Sequence, residues 1–245
     1  MRTLKLILRY DGRAYAGWQR QQPNRPTIQR ELESAVLRVT GVPGVVHASG
    51  RTDAGVHAIG QVAHLVTPCE LPPEQLLRAL NANLPQDIAV RQIFEMPEGF
   101  HARRHARRKT YFYQFYVDEN RNPLCSRRAL HLRRWPDLAR LRLAAEILTG
   151  RHDFRSFVTG APDDKDTVRQ LYRIRVLRTP HGLRIFVTGN GFLRHMVRSL
   201  AGLMIRVGTG REEIHRVEEI LAARSRSAAP AALPAHALFL WRVDY

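Results

Sequence analysis

Apolar and polar residues alternate from Thr3 to Tyr10, with Leu4, Leu6 and Leu8 on one side and Lys5, Ile7 and Arg9 on the other. That period predicts a strand. Beyond Pro26 the period changes. Ile28, Leu32, Ala35, Val36 and Val39 recur at helical spacing, and Thr27 can cap a helix that runs to Thr40. Gly41-Val42-Pro43-Gly44 stops it. A short strand over Val45–Ala48 and a longer one over Ala58–Val66 follow. A helix after Pro72-Pro73 shows Leu76, Leu77 and Leu80 on its apolar face, and a strand from Asp87 to Met96 runs through Ile88, Val90 and Ile93. The order β-α-β-β-α-β is that of a split βαβ, ferredoxin-like lobe.

The second half repeats this logic without repeating the sequence. Lys109 to Val117 reads as a strand with aromatics on both faces, and Arg121 to Arg134 as a basic loop. Pro136 opens a helix to Thr149 through Leu138, Leu141, Ala145 and Leu148, and Gly150 ends it. Pro162-Asp163-Asp164-Lys165-Asp166 reads as an acidic surface loop. Val168–Arg178 and Leu183–Thr188 form a hairpin around Pro180-His181-Gly182. Helices are predicted over Leu193–Val207 and Glu212–Ala223, with a closing strand over Leu238–Val243. The expected fold class is α+β: two ferredoxin-like lobes, residues 1–100 and 101–245, whose mainly antiparallel sheets abut around a basic cleft.

Charge changes the picture. The chain has 245 residues and a formal net charge of +17. Nearly all its cations are arginines, the lysines being Lys5, Lys109 and Lys165. Such an excess calls for a polyanionic partner, and nucleic acid leads the candidates, since a guanidinium pairs with phosphate and stacks on bases. A compositional bias of the genome would explain arginine in place of lysine, but not the net charge. The loop from Arg13 to Pro26, with Tyr15 and Trp18 among Arg13, Arg20 and Arg25, suits RNA contact; equally, Trp18 can be tucked into the core. Arg103, Arg104, Arg107 and Arg108 form the densest basic run and lead into the strand that begins with Tyr111. Phosphate pairing next to stacking is what flipped or single-stranded RNA requires. His101 and His105 are four apart, but no third ligand lies nearby, so no metal site is expected. Two cysteines without a Cys-x-x-Cys, no apolar leader and no membrane-length run point to a reduced, cytoplasmic protein.

The chain is organised around Ser49-Gly50-Arg51-Thr52-Asp53-Ala54-Gly55-Val56-His57-Ala58, a short polar turn between apolar runs. Gly50 and Gly55 bracket it and predict a tight loop. Arg51, two residues before Asp53, would keep the carboxylate ionised. Most Asp-Gly-type turns are only turns, however.

This ten-residue stretch resembles the signature of the tRNA pseudouridine synthase A family. Tyr10-Asp11-Gly12, Gly17-Trp18-Gln19-Arg20-Gln21, Asn81-Ala82-Asn83-Leu84-Pro85, Phe100-His101-Ala102-Arg103 and Phe192-Leu193-Arg194-His195-Met196-Val197-Arg198 agree with that family in the same order. The resemblance runs from about residue 4 to residue 245. One departure is His236-Ala237-Leu238-Phe239-Leu240, where the family usually has Gly-Leu before its last strand.

The resemblance implies a cofactor-free isomerase. Uracil leaves C1′ of its ribose, turns over and rejoins through C5, consuming neither water nor redox equivalents. By motif match the essential aspartate is Asp53, which could add to C1′, add to C6 or remove a sugar proton. Arg198 would pair with it, Arg51 would hold the flipped nucleotide or fill its place, and Tyr111 would stack on uracil near the C5 proton. The plain alternatives are a core aromatic for Tyr111 and a helix-surface arginine for Arg198, whose apolar neighbours predict partial burial. The implied substrates are uridines 38, 39 and 40 in the anticodon stem-loop of tRNAs, and the implied assembly is a homodimer. The rivals are a non-catalytic RNA-binding protein, a base glycosylase and, least favoured, a metal nuclease.

Overall fold

Three leucines one strand-period apart set the first layer of the core. In the computed structural model, which describes residues 1–20, 25–160 and 166–245, β1 (Arg2–Tyr10) buries Leu4, Leu6, Leu8 and Tyr10. Gln21 and nearly all of the expected acidic loop, residues 162–165, lie outside the described residues. α1 (Ile28–Thr40) begins where the Thr27 side chain accepts from the Arg30 N–H, and ends at Gly41 in the left-handed region, φ 71°. Its buried face is Ile28, Gln29, Leu32, Ala35 and Val36. β2 (Val46–Ala48), β3 (His57–Thr67), α2 (Pro73–Asn83) and β4 (Ile88–Met96) complete the expected order.

β1 lies between β4 and β3, and β2 pairs with the far part of β3, all antiparallel. The β1–β3 register sets Leu4 opposite Leu65, Leu6 opposite Ala63 and Leu8 opposite Gln61. Gln61 therefore shares the face of the three leucines and is fully buried.

The chain divides into two compact units, Met1–Arg107 with Phe239–Tyr245, and Arg108–Leu238. This differs from the expected division at residue 100. Tyr245 donates its hydroxyl to the Ala102 carbonyl at 2.8 Å, and the Arg107 N–H donates to Asp244 O at 2.8 Å, so residues 101–107 and the tail hold each other in the first unit. The last strand, β10 (Leu238–Asp244), runs parallel to β3, Phe239 beside His57 and Leu240 beside Ala58. Alternation marks a strand but not its neighbour, so the tail reads in sequence as part of the second lobe.

The second unit holds β5 (Arg108–Val117), β6 (Leu130–Leu132), α3 (Leu138–Leu148), β7 (Gly150–Asp153), β8 (Val168–Thr179), β9 (Gly182–Gly189), α4 (Met196–Gly208) and α5 (Arg216–Ala223). Its sheet order is β5-β9-β8-β7, antiparallel, with β6 parallel on the far side of β5. The β8–β9 hairpin stands as expected. Two short strands do not: β6 lies inside the expected basic loop, and β7 starts at Gly150, the residue expected only to end a helix. α4 begins at Met196 and not Leu193, because His195 takes a left-handed conformation, φ 62°, before the first turn. α5 begins at Arg216 and not Glu212. No described helix is long and apolar enough to cross a membrane.

Candidate active site

The loop between β2 and β3 is fastened at nearly every residue. The Ser49 N–H donates to Val62 O at 2.7 Å and the Val56 N–H to Asp53 O at 3.1 Å, closing the turn on itself. The Trp18 N–H donates to Thr52 O at 3.0 Å and the Gly55 N–H to Tyr15 O at 3.4 Å, tying it to the loop after β1. Of the two bracketing glycines, Gly55 has the left-handed backbone, φ 80°; Gly50 is not among the positive-φ residues. Asp53 stands half-buried at this turn and Arg51 is exposed.

Below the turn lies a buried polar chain. Ser49 Oγ donates to Gln61 Oε1 at 2.8 Å, and Gln61 Nε2 donates to Gly50 O at 2.9 Å and to Tyr10 Oη at 3.3 Å. Tyr10 Oη and Thr52 Oγ1 are 2.8 Å apart. Burial pushes the Tyr10 phenol up to about 12, against hydrogen bonds from Thr52 and Gln61, so it keeps its proton at neutral pH. The sequence reading missed Tyr10, Ser49, Thr52 and Gln61 as a group. The sequence held no signal that joined them, since Gln61 stands out only when the register sets it opposite Leu8 and on one face with Ala63 and Leu65.

The loop after β1 is placed by similar means. Asp11 accepts from the Arg13 side chain through both oxygens, Nε to Oδ1 at 2.9 Å and a terminal nitrogen to Oδ2 at 2.8 Å. This bond raises the Arg13 pKa. The buried His57 ring stacks on Phe239 with centroids 4.6 Å apart, and its Nδ1 lies 3.2 Å from Asp11 Oδ1. Tyr15 donates to Asp87 Oδ1 at 2.5 Å; burial first, and then this bond, raise its pKa. Trp18 is 1% exposed, its ring 6.2 Å from that of Tyr10. Of its two sequence readings the core one holds, and Trp18 is corrected from a stacking residue to a packing residue. Arg13, Arg20 and Arg25 remain exposed. Arg20 pairs with Glu33 at 3.3 Å.

In the second unit, Tyr111 on β5 is 8% exposed, with its ring edge-on to Phe192 at 5.1 Å. Arg198, in the first turn of α4, is half-buried as its apolar neighbours required. Its Nε donates to Leu233 O at 2.6 Å, while the Leu233 N–H donates to Arg198 O at 3.3 Å. The segment around Leu233 thus clamps this arginine from both its side chain and its backbone. Arg103, Arg104, Arg107 and Arg108 are all exposed. Arg108 lies over the Tyr172 ring at 5.2 Å. His101 and His105 lie near His64, yet among the described residues no three His, Cys, Asp or Glu side chains are grouped so as to hold a metal ion.

The profile of a family described as tRNA pseudouridine synthase matches residues 6–103 and 144–245. A tRNA pseudouridine synthase A of Exiguobacterium sp. is 42% identical over 245 residues, covering 100% of this chain and 98% of that protein. That of Bacillus subtilis is 41% identical over 244 residues, covering 99% and 98%. Among solved structures, the archaeal box H/ACA sRNP Nop10–Cbf5 complex matches at a TM-score of 0.39 and 13% identity, over 91% of this chain and 58% of that one.

Proposed function

The chain belongs to the tRNA pseudouridine synthase family, and from that premise we propose that Asp53 is the carboxylate that isomerises uridine to pseudouridine at positions 38, 39 and 40 of the anticodon stem-loop. The isomerisation of uridine in tRNA is the family's reaction. The observation that carries the assignment to Asp53 is its place: half-buried at the turn of a loop whose backbone is fastened on both sides.

The reaction breaks the bond from C1′ to N1, forms one from C1′ to C5, and moves a proton from C5 to N1. Atoms balance without water or a redox partner, so the residues must supply placement, charge and proton handling. Asp53 acts on the sugar or the base, at C1′, at C6 or on a sugar proton. Arg198 orients it; the clamp from Leu233 supports that role by limiting where the guanidinium can go. Arg51, exposed beside Asp53, takes the space vacated when the target base leaves its stack. Tyr111 lies against the uracil and presents its phenol near the C5 proton.

We read each unit as a ferredoxin-like lobe, a reading that the β4-β1-β3-β2 order of the first unit supports, and the arginines as the lining of a basic cleft. Arg13, Arg20, Arg25, Arg103, Arg104, Arg107 and Arg108 track the tRNA backbone by charge, with shape and not base identity setting the target. A homodimer working in the cytoplasm completes the proposal.

The test is an unmodified tRNA transcript with uridine in the lower anticodon stem, incubated without metal or nucleotide. Pseudouridine is mapped by carbodiimide and primer extension. The wild type modifies those uridines, whereas Asp53→Ala modifies none and still binds the tRNA. Equal binding with no modification by either protein would leave an RNA-binding module. Free uracil with an abasic site would make it a glycosylase.

A further inference from the structure

In the hydrogen-bond chain beneath the Asp53 loop, the backbone decides which way the Gln61 amide points. The Gly50 carbonyl can only accept, so it faces the nitrogen of the Gln61 amide; the Val62 N–H can only donate, and it lies 3.2 Å from Oε1. A flipped amide would set oxygen against oxygen and N–H against N–H. Nε2 then donates to Tyr10 Oη, which lies 2.8 Å from Thr52 Oγ1. Ser49 completes the chain by donating to Oε1. All four side chains are buried: Ser49 and Gln61 are fully enclosed, Tyr10 is 3% exposed and Thr52 is 6% exposed.

Gln61 is thus attached to the start of the loop at Ser49 and Gly50, and through Tyr10 to Thr52, the residue before Asp53. Both anchors stand on rigid elements, Gln61 within β3 and Tyr10 at the end of β1. On its face of the sheet Gln61 sits opposite Leu8 and in line with Ala63 and Leu65, and packing alone would be met by leucine or methionine there. A buried amide with every bond made specifies one loop geometry, which an apolar side chain of equal volume does not.

We propose that Gln61 and Tyr10 are positioning residues that set the Asp53 carboxylate through Ser49, Gly50 and Thr52, without themselves touching the tRNA. This rests on Asp53 being the catalytic carboxylate. Displacing a reacting group by an ångström costs up to about a hundredfold in rate. A role in positioning therefore falls on kcat, while tRNA affinity, carried by exposed arginines, is left alone.

The experiment compares Tyr10→Phe, Thr52→Val, their double variant and Gln61→Met, by kcat and KM on the tRNA transcript and by thermal melting. The expected result is a kcat lowered about ten- to a hundredfold in each single variant, with KM held within about twofold. The double variant falls no further than the worse single one, because both break one link. Should Gln61→Met fail to fold, the Tyr10–Thr52 cycle decides alone. Wild-type kcat in Tyr10→Phe, losses that multiply in the double variant, or a kcat per folded molecule that is unchanged while only melting falls would each overturn the proposal. An inactive wild type overturns the assignment of Asp53, and this proposal with it. An active wild type beside a fully active Tyr10→Phe overturns this proposal alone.

Discussion

The backbone N–H of Trp18 donates to the carbonyl of Thr52 at 3.0 Å, so the loop after β1 and the loop that carries Asp53 are fastened to each other one residue from the carboxylate. The tie needs Gly17 beside it. Gly17 has φ 100°, and a Cβ there would meet the Thr52 carbonyl oxygen at 2.7 Å. A side chain at 17 must move either the backbone or Thr52.

Gly17→Ala is expected to destabilise the protein by about 1–3 kcal/mol, since both the left-handed backbone and the close approach penalise it. Urea unfolding measures the loss. The rate at saturating tRNA should fall as well, because the carbonyl that must give way belongs to the residue before Asp53.

Arg198→Lys keeps the positive charge but removes the planar fork. Lysine places its donors on a single nitrogen, so it cannot hold one donor nitrogen at the Leu233 carbonyl, as Nε now does at 2.6 Å, while a separate planar pair faces elsewhere. The expected outcome is a fall in kcat of about tenfold or more with tRNA affinity little changed, the pattern of a group that acts after binding. Steady-state kinetics on the transcript separates the two parameters.

Arg103→Ala and Arg104→Ala concern affinity instead. Both side chains are exposed at the end of the first unit. Removing one arginine–phosphate pair should lower the slope of log affinity against log salt by about 0.7–0.9. Filter binding over a potassium chloride series reads that slope, and kcat at saturating tRNA should hold.

His64 makes stability depend on pH. Burial first, and then His101 and His47, lower its pKa from 6.5 to about 4. The groups around it are His47 on β2, Lys5 opposite on β1, and His101 and His105 after β4, with Arg104 beside His101. None is an acid. The unfolded chain binds a proton near pH 6.5 and the folded one does not, so stability falls as pH drops from about 6.5 towards 4. His64→Asn, whose side-chain oxygen can still accept from the Ala102 N–H as Nδ1 does at 3.2 Å, should flatten that part of the curve. Urea midpoints between pH 7.5 and 4.5 test it.

What could be read from sequence was whatever depends on a residue's nearest neighbours along the chain. Leu4, Leu6 and Leu8 declared β1, and Ile28, Leu32, Ala35 and Val36 declared α1, because burial on one face imposes a period. β7 had no such mark: Gly-Arg-His-Asp has no apolar alternation and is a strand by virtue of pairing with β8. The position of Asp53 was legible through its ten-residue signature, but what holds it was not. Gln61 becomes informative only once the register sets it opposite Leu8, and Trp18 chooses between core and solvent only once the two loops are joined.

β10 is made only after every residue of the second unit has been synthesised, yet it belongs beside His57 and Ala58 at the start of β3. To the ribosome, the second unit is therefore an insertion into the first. The N-terminal lobe emerges early with its aspartate loop, but it waits with one strand missing while about half the chain is translated. A message broken within that interval yields a protein that contains Asp53 and lacks the strand that Phe239 and Leu240 lay against the root of its loop, so the order of synthesis itself withholds the finished loop from a truncated product.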